Sequence, residues 1–294
     1  MNQDNANRRK FVPWIFLPCI MAFIMQFIAS IIVIEGGFVY AMGTFHGKTW
    51  AEVMSYIYDI LLSDTLSNII MVVYSVVGII LFLSIYNSKF MEGKTYSLKG
   101  VSKNKPATFG GIVLFCVGMQ YVSIYLISAL GRAFPAWIEE YNELIEESGL
   151  GNTMPAMLAF YALIAGPIVE ELIFRGLTLA AAKKVMPYYM AILVQAILFG
   201  AYHMNAIQGC YAFVLGLGLG YVMHLYDNLF FTILIHIAYN FIGTIGSAIL
   251  PVGGDTIISF FFWLLFALIV SYAGLVLLRK GAASVKEDDI IADI

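Results

Sequence analysis

Residues 154–182 read MPAMLAFYALIAGPIVEELIFRGLTLAAA, an apolar run that contains three ionisable side chains. A transmembrane helix needs about 20 apolar residues to cross a hydrocarbon core of about 30 Å, and this run is long enough. An ionised residue at the centre of such a helix costs about 2.5–3.5 kcal/mol on insertion scales. Glu170, Glu171 and Arg175 are therefore expected to face protein or a water-filled cavity. The run predicts a membrane-spanning helix that carries a polar site.

Similar apolar runs recur along the chain, which has 294 residues, 61% of them hydrophobic and 12% charged. A soluble domain has about 45–50% apolar and about 25% charged residues, so a soluble enzyme and a disordered protein are excluded. The three cysteines all lie in apolar runs, which excludes a disulfide-rich scaffold. We predict an all-α polytopic membrane bundle of about eight transmembrane helices. The predicted spans are 13–34, 66–86, 107–131, 154–182, 188–206, 208–226, 228–250 and 256–278.

The basic residues predict how these spans are oriented. Of the 16 Lys and Arg residues, 13 fall in one set of alternating connections and 2 in the opposite set. Lys and Arg accumulate in cytoplasmic loops. We therefore expect an integral protein of the plasma membrane with both termini in the cytosol.

The chain divides into three parts around the run described first. Residues 1–150 hold three spans and form an N-terminal anchor with peripheral helices. Within them, the stretch 48–62 has the mixed apolar and acidic pattern of an amphipathic helix at the membrane interface. Residues 151–278 hold five spans and are predicted to form the catalytic core. Residues 279–294 are predicted to be a cytosolic acidic tail.

The two glutamates of the run are expected to have different roles. Glu171 and Arg175 are four residues apart, so they lie one above the other on a helix and can form an ion pair. Glu170 is rotated by about 100° from Glu171. One carboxylate can therefore be held by the arginine while the other stays available for chemistry.

Two further spans carry polar residues at membrane depth. Span 188–206 contains His203, and span 228–250 contains His236 and Asn240, which share one helix face. Between them, small residues at Gly216 and Gly220 allow a neighbouring helix to approach closely. Close packing would bring the three polar helices together.

These residue types allow hydrolysis. A glutamate can take a proton from water with help from a histidine, and a histidine and an amide can stabilise a developing oxyanion. Glu170, His203 and His236 could instead hold Zn²⁺. We favour metal-free hydrolysis, because His-x-x-x-Asn is not the two-histidine spacing of common zinc peptidases, and we keep Zn²⁺ as the alternative. No serine or cysteine has a matching base at comparable spacing, so a covalent nucleophile is not expected.

Three motifs in this order, each in an apolar helix, resemble a known family. Glu-Glu-x-x-x-Arg, Phe-x-x-x-His and His-x-x-x-Asn resemble the signature of the CAAX-protease and bacteriocin-processing superfamily, also called Abi, which includes the type II CAAX prenyl endopeptidases. The resemblance covers about residues 165–240. It implies roles for six residues: Glu170 and His203 would activate the attacking water, Glu171 and Arg175 would orient the site, and His236 and Asn240 would stabilise the oxyanion.

The resemblance implies an intramembrane endopeptidase. Its partners would be the lipid bilayer and a peptide or protein substrate, such as a leader peptide, a pheromone precursor or a lipidated carboxyl terminus. We expect no nucleic-acid partner. One alternative is a non-catalytic bacteriocin-immunity or scaffold protein. Another is a proton-coupled transporter, which would use the same polar residues as a relay and would be expected to contain inverted repeats that are not evident here.

Overall fold

A computed structural model of the chain describes residues 8–147, 154–246 and 256–282. Within these ranges the protein is helical and contains no β-strand apart from one isolated bridge between Ser102 and Ala282. We treat the consecutive helical segments of Ala156–Ala182 as one helix. The helices are α1 (Pro13–Thr44), α2 (Trp50–Leu61), α3 (Asp64–Lys89), α4 (Lys105–Ala133), α5 (Pro135–Glu147), α6 (Ala156–Ala182), α7 (Tyr188–Tyr202), α8 (Ala206–Tyr226), α9 (Leu229–Gly246) and α10 (Ile257–Gly281).

The structure confirms an all-α polytopic bundle but not the count of eight spans. In the described ranges, six helices are long and apolar enough to cross a membrane, namely α1, α3, α4, α6, α8 and α10. Helices α7 and α9 are apolar but shorter. Helix α7 stops before the predicted end of span 188–206, because Met204 has a φ of 54° and cannot continue a right-handed helix. Residues 247–250 of the predicted span 228–250 lie outside the described residues.

Contacts near the basic loops support the predicted grouping of charges. The Lys94 ammonium donates to a carboxylate oxygen of Asp227 at 2.9 Å, which ties the loop after α3 to the end of α8. The Lys103 amide donates to the Gly281 carbonyl at 2.8 Å, which ties the start of α4 to the end of α10. The basic loop between α3 and α4 therefore lies beside the ends of α8 and α10. Their cytosolic orientation and the three-part division of the chain stay predictions, and residues 283–294 of the predicted tail are not described.

The stretch 48–62 forms the short amphipathic helix α2, as predicted. Its start is capped by Thr49 and Glu52, whose side chains each accept a hydrogen bond from the other residue's backbone N–H. Backbone N–H groups of Lys48 and Thr49 hold the pKa of the Glu52 carboxyl below its usual value, because they stabilise the ionised form. The position of α2 at a membrane interface stays a prediction.

Glycines fix α7 against α8, as the spacing of small residues predicted. A Cβ atom added to Gly216 would lie 3.1 Å from the Ala196 Cα atom, and one added to Gly220 would lie 2.7 Å from the Gln195 side-chain nitrogen. The same Gln195 nitrogen donates to the Gly216 carbonyl at 2.7 Å. Close packing and a polar bond thus hold the helix that ends at His203.

Helix α6 is not the regular α-helix that the sequence analysis assumed. Tyr161–Ala165 and Leu172–Leu179 are π-helical, and Gly166–Glu171 between them is α-helical. π-Helical turns are rare and occur frequently at functional sites. The two glutamates therefore lie at the end of an α-helical segment, with a wider turn on each side.

Candidate active site

Glu171 and Arg175 form the predicted ion pair inside the protein. The Arg175 Nη1 atom donates to the Glu171 Oε1 atom at 2.7 Å, and both side chains are fully buried. An isolated buried charge is very costly, so each group stabilises the other. The i,i+4 spacing gives this contact even though Arg175 lies in a π-helical turn.

His236 on α9 approaches both glutamates. Its Nδ1 atom donates to the Glu171 Oε1 atom at 2.9 Å, and its Nε2 atom lies 3.6 Å from the Glu170 Oε2 atom. The second distance is too long for a hydrogen bond but short enough for an electrostatic contact. Glu170, Glu171, Arg175 and His236 therefore form one group, which we call the glutamate cluster.

The two carboxylates of this cluster differ in exposure, as the sequence analysis expected. The Glu171 side chain is 0% exposed, whereas the Glu170 side chain is 16% exposed. Glu171 accepts hydrogen bonds from Arg175 and from His236. Among the described residues, the ion-pair contact of Glu170 is the longer one, with His236. Glu170 is therefore the more accessible of the two carboxylates.

His203 does not contact Glu170 directly. It follows the last residue of α7, and its Nδ1 atom lies 2.9 Å from the Phe199 carbonyl oxygen. A carbonyl only accepts, so Nδ1 carries the proton and Nε2 keeps a lone pair in the neutral ring. Among the described residues, Glu170 has an ion-pair contact with His236 and none with His203. The predicted link from Glu170 to His203 through one water stays a prediction.

Phe199 contacts three of the predicted site residues, a role that the sequence analysis did not assign. The guanidinium carbon of Arg175 lies 4.6 Å from the centre of its ring. The rings of His203 and His236 meet it nearly edge-on, with centroids 5.0 Å and 5.9 Å away. The available signal was its motif position four residues before His203. Phe199 holds the two histidines and the arginine around one rigid, buried ring.

Asn240 binds the backbone of the first π-helical turn. Its Nδ2 atom donates to the Ala162 carbonyl at 2.9 Å. Within α6 this carbonyl has no ordinary donor, because the Gly166 amide donates to Tyr161 and the next residue, Pro167, has no N–H group. An asparagine amide has two N–H groups, and the second has no acceptor among the described residues, so it can bind a ligand.

The residues of the alternative zinc site are not grouped as a metal centre in the part of the chain that the structure describes. There, no three His, Cys, Asp or Glu side chains are placed so that they could hold a metal ion. The Nδ1 atom of His203 faces the Phe199 carbonyl, and the Nδ1 atom of His236 faces Glu171. Histidines that bind a metal through Nε2 make the same kind of Nδ1 contact, so the choice between metal-free hydrolysis and Zn²⁺ stays a prediction.

One comparison with known proteins gives a match. A family model described as type II CAAX prenyl endopeptidase Rce1-like matches residues 152–242, which are 91 of the 294 residues. All six predicted site residues lie inside this region. The match confirms the resemblance to the CAAX-protease and bacteriocin-processing superfamily. No curated protein and no solved structure matches the chain.

Proposed function

We propose that this membrane protein is an intramembrane endopeptidase in which Glu170 activates the attacking water. The observation that carries the proposal is the difference between the two adjacent glutamates. Glu171 is fully buried and held by Arg175 and His236, whereas Glu170 is partly exposed and, among the described residues, has the 3.6 Å approach to His236 as its ion-pair contact. A general base must be ionisable and accessible, and Glu170 meets both conditions.

The reaction starts with proton transfer from water. Glu170 takes one proton while the water oxygen forms a bond to the carbonyl carbon of the scissile peptide. The Nε2 lone pair of His203 accepts the second hydrogen bond of that water and orients it. The electrons of the carbonyl double bond move to its oxygen, which becomes the oxyanion. The protonated Glu170 then gives its proton to the leaving nitrogen as the carbon–nitrogen bond breaks.

Two groups are placed to bind the oxyanion. The second N–H group of Asn240 is one donor. The other is His236 in its imidazolium form, in which Nδ1 donates to Glu171 and Nε2 carries a proton. With that charge, the glutamate cluster has a net charge of zero, because the guanidinium and the imidazolium balance the two carboxylates. Neutrality supports this form, because uncompensated charge inside the protein is costly.

A lipid-anchored substrate suits this site best. The site lies on helix α6, which is long and apolar enough to span a membrane. The matched family is described as a prenyl endopeptidase. We therefore propose a membrane-bound peptide with a prenylated carboxyl terminus as the first substrate to test, ahead of a leader peptide or pheromone precursor. We further propose a plasma-membrane location with both termini in the cytosol, from the distribution of Lys and Arg.

Turnover by purified protein tests the proposal. The substrate is a quenched fluorogenic peptide that ends in farnesyl-cysteine and three further residues, with peptidomics of expressing membranes as a second readout. Glu170→Gln should abolish turnover while the protein stays folded, because the amide keeps the size and loses the base. Glu140→Gln, which changes an exposed glutamate on α5, is the matched control and should keep full activity. Full turnover by Glu170→Gln would contradict the proposal, and bacteriocin immunity that survives this change would favour the non-catalytic alternative.

A further inference from the structure

Two tyrosine hydroxyls form a pair beside the proposed catalytic residues. The Tyr74 and Tyr202 hydroxyl oxygens lie 2.6 Å apart, although the residues are 128 positions apart in sequence. Tyr74 lies on α3 and is 3% exposed. Tyr202 is the last residue of α7 and directly precedes His203. Neither residue is part of the three motifs.

The ring of Tyr202 is held on several sides. It packs against Phe23 of α1 with ring centroids 5.1 Å apart and against Phe174 of α6 with centroids 5.4 Å apart. It meets the His203 ring nearly at a right angle, with centroids 6.1 Å apart. Phe174 directly precedes Arg175, so the tyrosine packs against the helix that carries the glutamate cluster. Its hydroxyl therefore has a fixed position beside the site.

The pair lies within electrostatic range of Glu170. Both hydroxyls interact electrostatically with that carboxylate. Helix α3 approaches α6 one turn after Tyr74, where a Cβ atom added to Gly78 would lie 3.4 Å from a methyl group of Val169. Val169 directly precedes Glu170. The side of α3 that carries Tyr74 thus faces the catalytic part of α6.

A hydroxyl pair keeps one donor for a third group. When one tyrosine donates to the other, one O–H proton is left over. Neither hydroxyl has another hydrogen-bond partner among the residues that the structure describes. The partly exposed Glu170 carboxylate is an acceptor within electrostatic range.

We propose that the Tyr74–Tyr202 pair positions Glu170. The remaining O–H donates to a bridging water that in turn donates to a Glu170 oxygen, and this chain holds the carboxylate in the orientation that accepts a proton from the attacking water. This inference rests on the proposed endopeptidase function. It makes both tyrosines positioning residues, and it gives α3, which lies outside the matched region 152–242, a direct part in the site.

The test uses the full-length protein, the farnesylated fluorogenic peptide and the variants Tyr74→Phe, Tyr202→Phe and the double variant. Each single variant leaves one hydroxyl without its partner, so its melting temperature should fall. The double variant replaces both partners with apolar rings, so its melting temperature should recover. The value of kcat should instead fall by about 10- to 100-fold in the double variant with little change in KM, because no O–H is left to orient the charged Glu170 carboxylate. Each single variant keeps one O–H near Glu170 and should lose less of its kcat. Tyr189→Phe on the exposed face of α7 is the control and should change neither quantity.

The comparison of stability with activity decides between positioning and packing. Activity that follows the melting temperature and recovers in the double variant would overturn the proposal, because it indicates a structural role only. Full kcat in the double variant would overturn it as well. If the wild type and the double variant are both active and Glu170→Gln is inactive, the endopeptidase function stands and only the positioning role of the tyrosines is refuted. A wild type without turnover of any peptide would overturn the endopeptidase function and this inference with it.

Discussion

Removal of Arg175 tests whether the buried ion pair holds the site together. Arg175 and Glu171 are both fully buried, with 2.7 Å between the paired atoms. Breaking a buried pair by removing one partner costs about 3–5 kcal/mol, because the other charge stays behind in the protein. The lost contact with the Phe199 ring adds about 0.5–2 kcal/mol. His236 still donates to Glu171, so we expect the lower half of the combined range for Arg175→Met.

Thermal unfolding in detergent measures this loss. A free-energy change of 1 kcal/mol shifts the melting temperature by about 2–4 °C in proteins of about 150–250 residues, so a loss of about 4 kcal/mol predicts a decrease of about 8–16 °C. The control is Arg132→Met, which removes an exposed arginine that also lies over an aromatic ring, that of Phe260, at 6.0 Å. The control should shift the melting temperature by much less, because an exposed charge leaves no buried partner.

A second variant identifies the cause of the loss. The double change Glu171→Gln and Arg175→Met removes both charges, and it should recover much of the stability that the single change loses. Activity should not recover, because Glu171 also orients His236. An unchanged melting temperature with full activity in Arg175→Met would refute the reasoning, since the arginine would then contribute neither to the fold nor to the site.

Three further predictions concern the oxyanion, the metal and the topology. Asn240→Ala should lower kcat by about 100- to 1,000-fold, the usual loss for one oxyanion donor, and an unchanged kcat would remove Asn240 from that role. Protein stripped by a strong chelator, with its metal content checked by mass spectrometry, should stay active; loss of activity and its recovery with near-stoichiometric Zn²⁺ would make the histidines ligands. In single-cysteine variants, an impermeant thiol reagent applied to intact cells should label a cysteine at position 143 and not one at position 99, and the reverse result would contradict the cytosolic assignment.

The sequence was sufficient to predict interactions within a helix. Glu171 and Arg175 pair because residues four apart lie on the same side of a helix, and this holds even where the turn widens. The different surroundings of the two glutamates also follow from their rotation around one axis. The polytopic fold follows from the length of the apolar runs, since the bilayer sets the length that a spanning helix needs.

Interactions between helices could not be predicted in the same way. His236 rather than His203 approaches Glu170, because the depth and rotation of α7 and α9 depend on packing between segments that are distant in sequence. The spacing of residues within one helix does not contain that information. The ring of Phe199 and the hydroxyl of Tyr74 were missed for the same reason, since each acts on residues of another helix.

The π-helical turns of α6 also lacked a clear sequence signal. The only local indication was Pro167, which removes one N–H group from the helix. That loss has a consequence on a different helix, because the Ala162 carbonyl then accepts from Asn240. Pro167 indicates only a local irregularity in the sequence, but in the structure it contributes to the contact between α6 and α9.

The contact between α6 and α9 connects the stability of the bundle with its chemistry. Helices in a bilayer gain little from hydrophobic burial against each other, so polar bonds and close packing set their register. Here His236 binds Glu171 and Asn240, one turn later, binds Ala162. The same two side chains are the proposed oxyanion donors. Changes at either position should therefore lower both stability and turnover. A change at Glu170, whose ion-pair contact among the described residues is the long one with His236, should lower turnover alone.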